Sequence, residues 1–145
     1  MHLSIQSILL NVSDLDRSVA FYTEVFEFPI ETRETEVAAL EVSDSGRRQV
    51  LVLRVTRGSL HAGRGAIGPR LISFEAESLD QVDLVEARLD ARKSLVGRRR
   101  AKAWEAVFGF DPDRNQVAVA AGVRGEPIGE EAWTMLDEAV YVVGE

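Results

Sequence analysis

The sequence predicts an α+β protein made of two copies of one βαβββ module. Residues 7–12 alternate as a half-buried strand does, and an amphipathic helical pattern follows directly. The same order of patterns begins again 64 residues later, so that Ile8 corresponds to Ile72 and Leu15 to Leu79. Three more strand patterns follow the helix in each copy. Because strands, helix and turns recur in one order, we infer a duplicated module within one domain.

The first module is predicted to span residues 1–57. Alternation in its first strand places Ile8, Leu10 and Val12 on one face, with Ser7, Leu9 and Asn11 on the other. Ser13 and Asp14 are favourable helix starters, and apolar residues then recur at helical spacing. Three strands are predicted to follow, at residues 28–33, 36–42 and 49–55.

The second module is predicted to span residues 70–122. Residues 71–76 alternate, and Ser78 with Gln81 forms a capping-box pattern at the start of a helix. Three strands are again predicted, at about residues 95–102, 104–110 and 116–120. Residues 58–69 are rich in glycine and are interpreted as a connector. Residues 123–145 form a tail in which Trp133, Leu136 and Val140 have the spacing of a short helix.

Composition narrows the class of protein. The 145 residues are 46% hydrophobic, which is enough for a substantial core. Cysteine is absent, which excludes disulfides and thiolate chemistry and fits a reducing compartment. A formal net charge of −7 disfavours binding to nucleic acid, and no apolar run approaches the length of a membrane span. We therefore expect a cytoplasmic protein that binds neither nucleic acid nor membrane.

Three motifs occur in order along the repeat: Val12-Ser-Asp-Leu-Asp-Arg-Ser-Val-Ala-Phe-Tyr22, Phe74-Glu-Ala-Glu-Ser-Leu-Asp-Gln-Val82 and Asp111-Pro-Asp-Arg-Asn115. Together they resemble the vicinal oxygen chelate superfamily, which includes glyoxalases, extradiol dioxygenases and bleomycin-resistance proteins. The resemblance covers residues 5 to about 120. It implies a curved mixed sheet around a cleft, helices on the outside, and a homodimer.

The resemblance also locates the positions at which metalloenzymes of this superfamily hold a divalent ion. They are inward positions on the first and fourth strand of each module, which match Ser7, Leu51, Leu71 and Ala118. A divalent ion needs at least three oxygen or nitrogen donors, and these residues supply one hydroxyl. A one-residue slip would bring in Ile8, Ile72, Val50 or Val117 instead, which are equally unable to bind metal. We therefore expect neither a metal nor another cofactor.

The predicted cleft is apolar with a few polar groups. Trp104 and Phe108 fall on one face of their strand, where they either stack on a planar ligand or belong to the core. Glu75 is a weak candidate for a general base, the alternative being an exposed strand end or a partner donor. His61 lies in the connector and either borders the cleft or is simply solvated. The predicted lining is Ser7, Leu9, Asn11, Leu51, Leu53, Leu71, Ser73, Glu75, Trp104, Phe108, Ala118 and His61.

Three local features are interpreted structurally. Glu27 and Arg114 stand where the superfamily usually has glycine, so we expect the turn at Arg114 to adopt another conformation. The basic run Arg98-Arg-Arg-Ala-Lys102 is interpreted as a solvated edge strand in preference to an anion site. The Gly63-Arg-Gly-Ala-Ile-Gly68 stretch lacks the following helix that a dinucleotide site needs, so that function is rejected.

The leading functional hypothesis is a metal-free protein that sequesters a hydrophobic or aromatic natural product, in the manner of antibiotic-resistance proteins. Two alternatives stay open. One is a lyase, isomerase or dioxygenase of the same superfamily with relocated metal ligands or with Glu75 as base. The other is a regulatory or interaction module whose tail helix binds a partner.

Overall fold

The computed structural model describes residues 1–43, 47–58, 69, 71–126 and 128. The chain divides into two compact units, Met1–Ile67 and Gly68–Glu145. Within the described residues, each unit contains one four-stranded mixed sheet and one helix in the order βαβββ. The predicted α+β class with two βαβββ modules is therefore confirmed.

The first unit forms a sheet with strand order β1-β4-β3-β2, in which β1 and β4 are parallel and the other pairs antiparallel. Asp14 caps the helix by accepting a hydrogen bond from the Arg17 amide. The helix packs on β3 and β4 through a buried stripe that includes Val19, Tyr22 and Val25. The elements are β1 (Ser7–Val12), α1 (Leu15–Phe26), β2 (Ile30–Arg33), β3 (Val37–Ser43) and β4 (Gln49–Val55).

The second unit repeats this topology with strand order β5-β8-β7-β6, and β5 and β8 are the parallel pair. Ser78 caps the helix by accepting from the Gln81 amide, as predicted, and the Gln81 side chain accepts from the amide of Glu77, the residue before the cap, in place of the Ser78 amide that a capping box uses. Val82, Val85 and Leu89 are the buried stripe of the helix. The elements are β5 (Leu71–Glu75), α2 (Leu79–Ala91), β6 (Leu95–Arg100), β7 (Trp104–Phe110) and β8 (Gln116–Gly122).

Two positions that usually hold glycine keep the left-handed backbone with larger residues. Glu27 ends α1 at φ 61°, and Arg114 has φ 66°. The expectation of another conformation at Arg114 is therefore wrong. Asp111 explains why, since its buried carboxylate accepts the amides of Asp113 and Asn115 and fixes the turn. The Arg114 guanidinium also lies 4.8 Å from the centre of the Phe110 ring, which offsets part of the strain.

No helix in the described part of the chain is long and apolar enough to cross a membrane.

Candidate functional site on the second sheet

The second sheet has one face covered by α2. Arg98 bonds to Asp83 and Glu86 of that helix, and a methyl group added at Gly109 would touch Leu89. Strand pairing places Arg98 beside Val107 and Gly109 beside Val117. Because side chains alternate along strands, the residues of the opposite parity point away from α2.

We call this second surface the distal face of the second sheet, and define it by nine residues that pair laterally across β5, β8 and β7. Its centre is a buried apolar cluster in which Trp104 is 5% exposed and Phe108 3% exposed. Three small side chains fill the space between and beside these rings. The residues of the distal face are Leu71, Ser73, Glu75, Trp104, Ala106, Phe108, Gln116, Ala118 and Ala120.

The cluster presents two aromatic rings on one strand. Trp104 and Phe108 are four residues apart on β7, a separation of about 13 Å in an extended strand. Ala106 lies between them on the same face, and Ala120 and Ala118 are its neighbours on β8. Leu71 and Ile128 pack against this cluster. The sequence therefore places on this face ring surfaces and methyl groups, which suit an apolar or planar partner.

Three polar side chains border the cluster. Ser73 and Glu75 are exposed on β5, and Glu75 accepts a hydrogen bond of 3.3 Å from the Ile128 amide. Gln116 lies beside Leu71 at the other end of the face. Its Oε1 atom is buried and has no hydrogen-bond partner among the described residues. A buried carbonyl oxygen without a donor costs roughly 1–3 kcal/mol, so this atom is poised to accept from a ligand.

The first sheet corrects part of the predicted lining. Ser7, Leu9 and Asn11 share a face, as predicted, and all are exposed. Their lateral neighbours on β4 are Val50, Val52 and Arg54. The placement of Leu51 and Leu53 on this face is therefore wrong. Both side chains are buried on the opposite face, beside Leu40 and Ala38 of β3.

The donor set does not fit the divalent ion that the superfamily's metalloenzymes hold. Ser7 has Val50 as its neighbour, and Leu71 has Gln116. The predicted position at Ala118 lies beside Ser73. These residues offer hydroxyl and amide oxygens but no carboxylate or imidazole, which hard divalent ions require as anchors. Among the described residues, no group of three His, Cys, Asp or Glu side chains is placed to hold a metal.

Arg98 departs from the interpretation of its segment as a solvated edge. β6 is an edge strand, but the Arg98 side chain is only 9% exposed and contacts three carboxylates. The interpretation is wrong at this residue because α2 supplies Asp83 and Glu86, and β7 supplies Glu105. Burial alone would lower the pKa of Arg98, but the hydrogen bonds from its guanidinium to these carboxylates outweigh burial and raise the pKa above its ordinary value. The Arg98 guanidinium therefore forms ion pairs that hold α2 on the sheet.

Comparison with known proteins gives the family. The model of the glyoxalase/bleomycin resistance protein/dioxygenase superfamily matches residues 4–119 of this chain. The chain belongs to this superfamily. The predicted resemblance to the vicinal oxygen chelate proteins is thus confirmed. Among the curated proteins, none matches the chain.

Solved structures of the superfamily share this fold. A lactoylglutathione lyase from Agrobacterium tumefaciens is 25% identical, with a TM-score of 0.60, and the match covers 81% of this chain and 92% of that protein. A glyoxylase/bleomycin resistance protein/dioxygenase domain from Frankia is 23% identical, with a TM-score of 0.66 and coverages of 87% and 95%. A glyoxalase/dioxygenase from Nostoc punctiforme is 16% identical, with a TM-score of 0.68 and coverages of 82% and 90%. The last two likenesses show the fold alone.

Several predicted features lie outside the described residues. His61 and the tail helix around Trp133 are among them, and the homodimer stays a prediction. Sequence reasoning missed Gln116 as a polar group of the distal face and Ile128 as a contact of its cluster. Gln116 could have been found by alternation alone, since it shares the parity of Ala118 and Ala120. Ile128 carries no comparable signal because the residues around it lack periodicity.

Proposed function

We propose that this protein binds a hydrophobic or aromatic small molecule on the distal face of the second sheet, without a metal ion. The observation that carries this proposal is the buried Gln116 Oε1 atom, which has no hydrogen-bond partner in the described part of the chain and lies beside an aromatic cluster on the face opposite α2. A ligand with an apolar body and one N–H or O–H donor would complement both features. Such a molecule could stack on Phe108 and donate to Gln116.

The chemistry of the face favours binding over turnover. Glu75 is the one carboxylate among the nine residues of the distal face, and it is exposed and occupied by the Ile128 amide. No second described acid or base on this face pairs with it. Protection by sequestration of a natural product therefore fits these residues better than a proton-transfer reaction.

The proposal can be tested with Trp104 as a reporter. Trp133→Phe leaves Trp104 as the only tryptophan, because the chain has two. In this background, titration with bleomycin and with planar hydrophobic antibiotics should change the Trp104 emission and raise the melting temperature. For a ligand that binds, Gln116→Met should weaken affinity about tenfold, which corresponds to one lost hydrogen bond of about 1.4 kcal/mol.

A matched control separates the site from the rest of the surface. Leu84→Ala removes an exposed apolar side chain on α2, so ligand affinity should stay unchanged. If Gln116→Met and Phe108→Leu both leave ligand affinity unchanged, the proposed location of the site is wrong. If none of the tested antibiotics changes the Trp104 emission or the melting temperature, the result counts against the proposed small-molecule function. Stoichiometric metal in protein purified without a histidine tag, lost with activity on chelation, would favour the superfamily enzyme instead.

A further inference from the structure

The chain that leaves β8 turns back over the distal face. Val123 donates to the Ala103 carbonyl, and Gly125, at φ 72°, closes a reverse turn by donating to the Gly122 carbonyl. Gly122 has the parity of Ala120, so a side chain there would point to the distal face. A Cβ atom at this position would collide with the carbonyl oxygen of Glu126. The backbone of Glu126 therefore crosses the distal face directly over Gly122.

We call Val123–Glu126 together with Ile128 the strap. From Gly122 on β8 it reaches the edge strand β5, where the Ile128 amide donates to Glu75 Oε1. The Ile128 side chain packs on the cluster of Trp104 and Phe108. The strap therefore contacts the sheet at two places. The Glu126 backbone crosses over Gly122, and the Ile128 amide donates to the Glu75 carboxylate.

The cluster under the strap is closed in this structure. Ala106 and Ala120 are completely buried, and Ile128 is one of the side chains that pack on their cluster, so the two rings are not accessible to a ligand in this structure. A ligand that stacks on these rings must displace the strap. The apparent affinity is then reduced by the fraction of molecules in which the strap is closed.

On this basis we propose that the strap is an internal competitor of the ligand, and that Glu75 is the positioning residue that holds it closed. This inference rests on the proposed function only for the identity of the competing molecule. Glu75 has no role in chemistry under this proposal, because its carboxylate acts on the Ile128 amide. Ile128 is then a determinant of specificity, since only ligands that outcompete its packing gain the site.

A first experiment needs no ligand. In the Trp133→Phe background, Glu75→Ala and Ile128→Ala should raise the acrylamide quenching constant of Trp104 severalfold, because both loosen the strap. Glu77→Ala removes a neighbouring exposed carboxylate, and Leu84→Ala removes an exposed apolar side chain; both should leave quenching unchanged. Melting curves confirm that each variant is folded. Unchanged quenching in Glu75→Ala and Ile128→Ala would refute the proposal that these two residues hold the strap closed over Trp104.

A second experiment uses a ligand found by the Trp104 titration. Glu75→Ala should tighten its binding about threefold to tenfold and raise its association rate, as expected for the loss of one hydrogen bond to a charged group in a partly solvated setting. Glu75→Gln keeps a weaker acceptor, so its ligand affinity should lie between those of the unchanged protein and Glu75→Ala. The Glu75→Ala and Ile128→Ala effects should not add, because both act by opening one element.

The two experiments distinguish the strap from the proposed function. Raised quenching with tighter binding supports the strap as a competitor. Raised quenching with weaker binding would overturn it, because the strap would then be a wall of the site. Raised quenching in the absence of any ligand response supports a cover over Trp104 and counts against the small-molecule function alone.

Discussion

Removal of the Arg98 charge tests what holds α2 on the second sheet. The Arg98 guanidinium lies 2.5 Å from Glu105, 2.5 Å from Glu86 and 2.6 Å from Asp83. The three carboxylate side chains differ in exposure, at 16%, 32% and 60% respectively. The contribution of each ion pair to the free energy of unfolding falls in the same order, because solvent screens exposed ion pairs. Arg98→Met keeps an unbranched apolar side chain close to the length of the arginine methylene stem and removes all three contacts.

The cost can be worked out from these exposures. The nearly buried contact to Glu105 is worth about 2 kcal/mol, as a hydrogen-bonded charge pair. The two more exposed contacts add about 0.5 kcal/mol each. The free energy of unfolding should therefore fall by about 3 kcal/mol in Arg98→Met, near the lower end for breaking a buried ion pair. For a chain of this size the melting temperature should fall by roughly 6–12 °C.

Urea denaturation and thermal melts measure this loss, with Arg100→Met as the control. Arg100 is 68% exposed and has one contact of 3.4 Å to Glu105, so its replacement should cost only about 0.5 kcal/mol. Adding Glu105→Gln to Arg98→Met should recover part of the loss, because it removes an unpaired buried charge. Equal stability of the Arg98→Met and Arg100→Met variants would refute the argument.

Two backbone positions give further predictions. Gly109→Ala should lower the free energy of unfolding by about 1–3 kcal/mol, because the new methyl group would lie 2.7 Å from the Ser94 carbonyl oxygen and 3.0 Å from Leu89. An unchanged urea midpoint would contradict the close packing of α2 at this position. Arg114→Gly should be about 1 kcal/mol more stable than Arg114→Ala, because both lose the contact with Phe110 and only glycine relieves the left-handed backbone. Chemical denaturation of the two variants side by side checks that difference, and equal midpoints would argue against a left-handed turn.

The order of elements was predictable because periodicity is local. Alternation and helical spacing located every strand and both helices of the described chain to within a few residues, and capping residues located the helix starts. The repeat predicted that the two modules share a topology. Ser7 and Leu71 do hold equivalent places, since each is the first residue of its edge strand and pairs with the parallel strand beside it.

The error at Leu51 is one of register, because the resemblance matched Leu51 on β4 with Ala118 on β8. Pairing in the structure matches Val50 with Gln116 instead, because Ser7 lies beside the former and Leu71 beside the latter. A shift of one residue moves every side chain of a strand to the other face. That slip is why Leu51 and Leu53 were included in the predicted lining.

Long-range contacts escaped sequence reasoning for a different reason. The basic run around Arg98 is a solvated edge by local pattern, and only the packing of α2 brings Asp83 and Glu86 to it. The position of Ile128 likewise depends on a turn at Gly122 and Gly125 that has no periodic signal. In both cases the partner lies far along the chain from the residue it contacts. Tertiary packing, rather than local propensity, decides these positions.

The distal face of the second sheet is where the two modules differ most in chemistry. On the matching face of the first sheet, the edge strand β1 carries Ser7, Leu9 and Asn11, and Leu9 is 55% exposed. In the second sheet the corresponding face carries Trp104 and Phe108, which are almost fully buried. A sheet with a helix on one side does not need two buried rings on the other side for its own core. Because Ile128 packs on this cluster and its amide donates to Glu75, the aromatic cluster and the buried Gln116 oxygen beside it are the part of the described chain best suited to exchange an internal contact for a ligand.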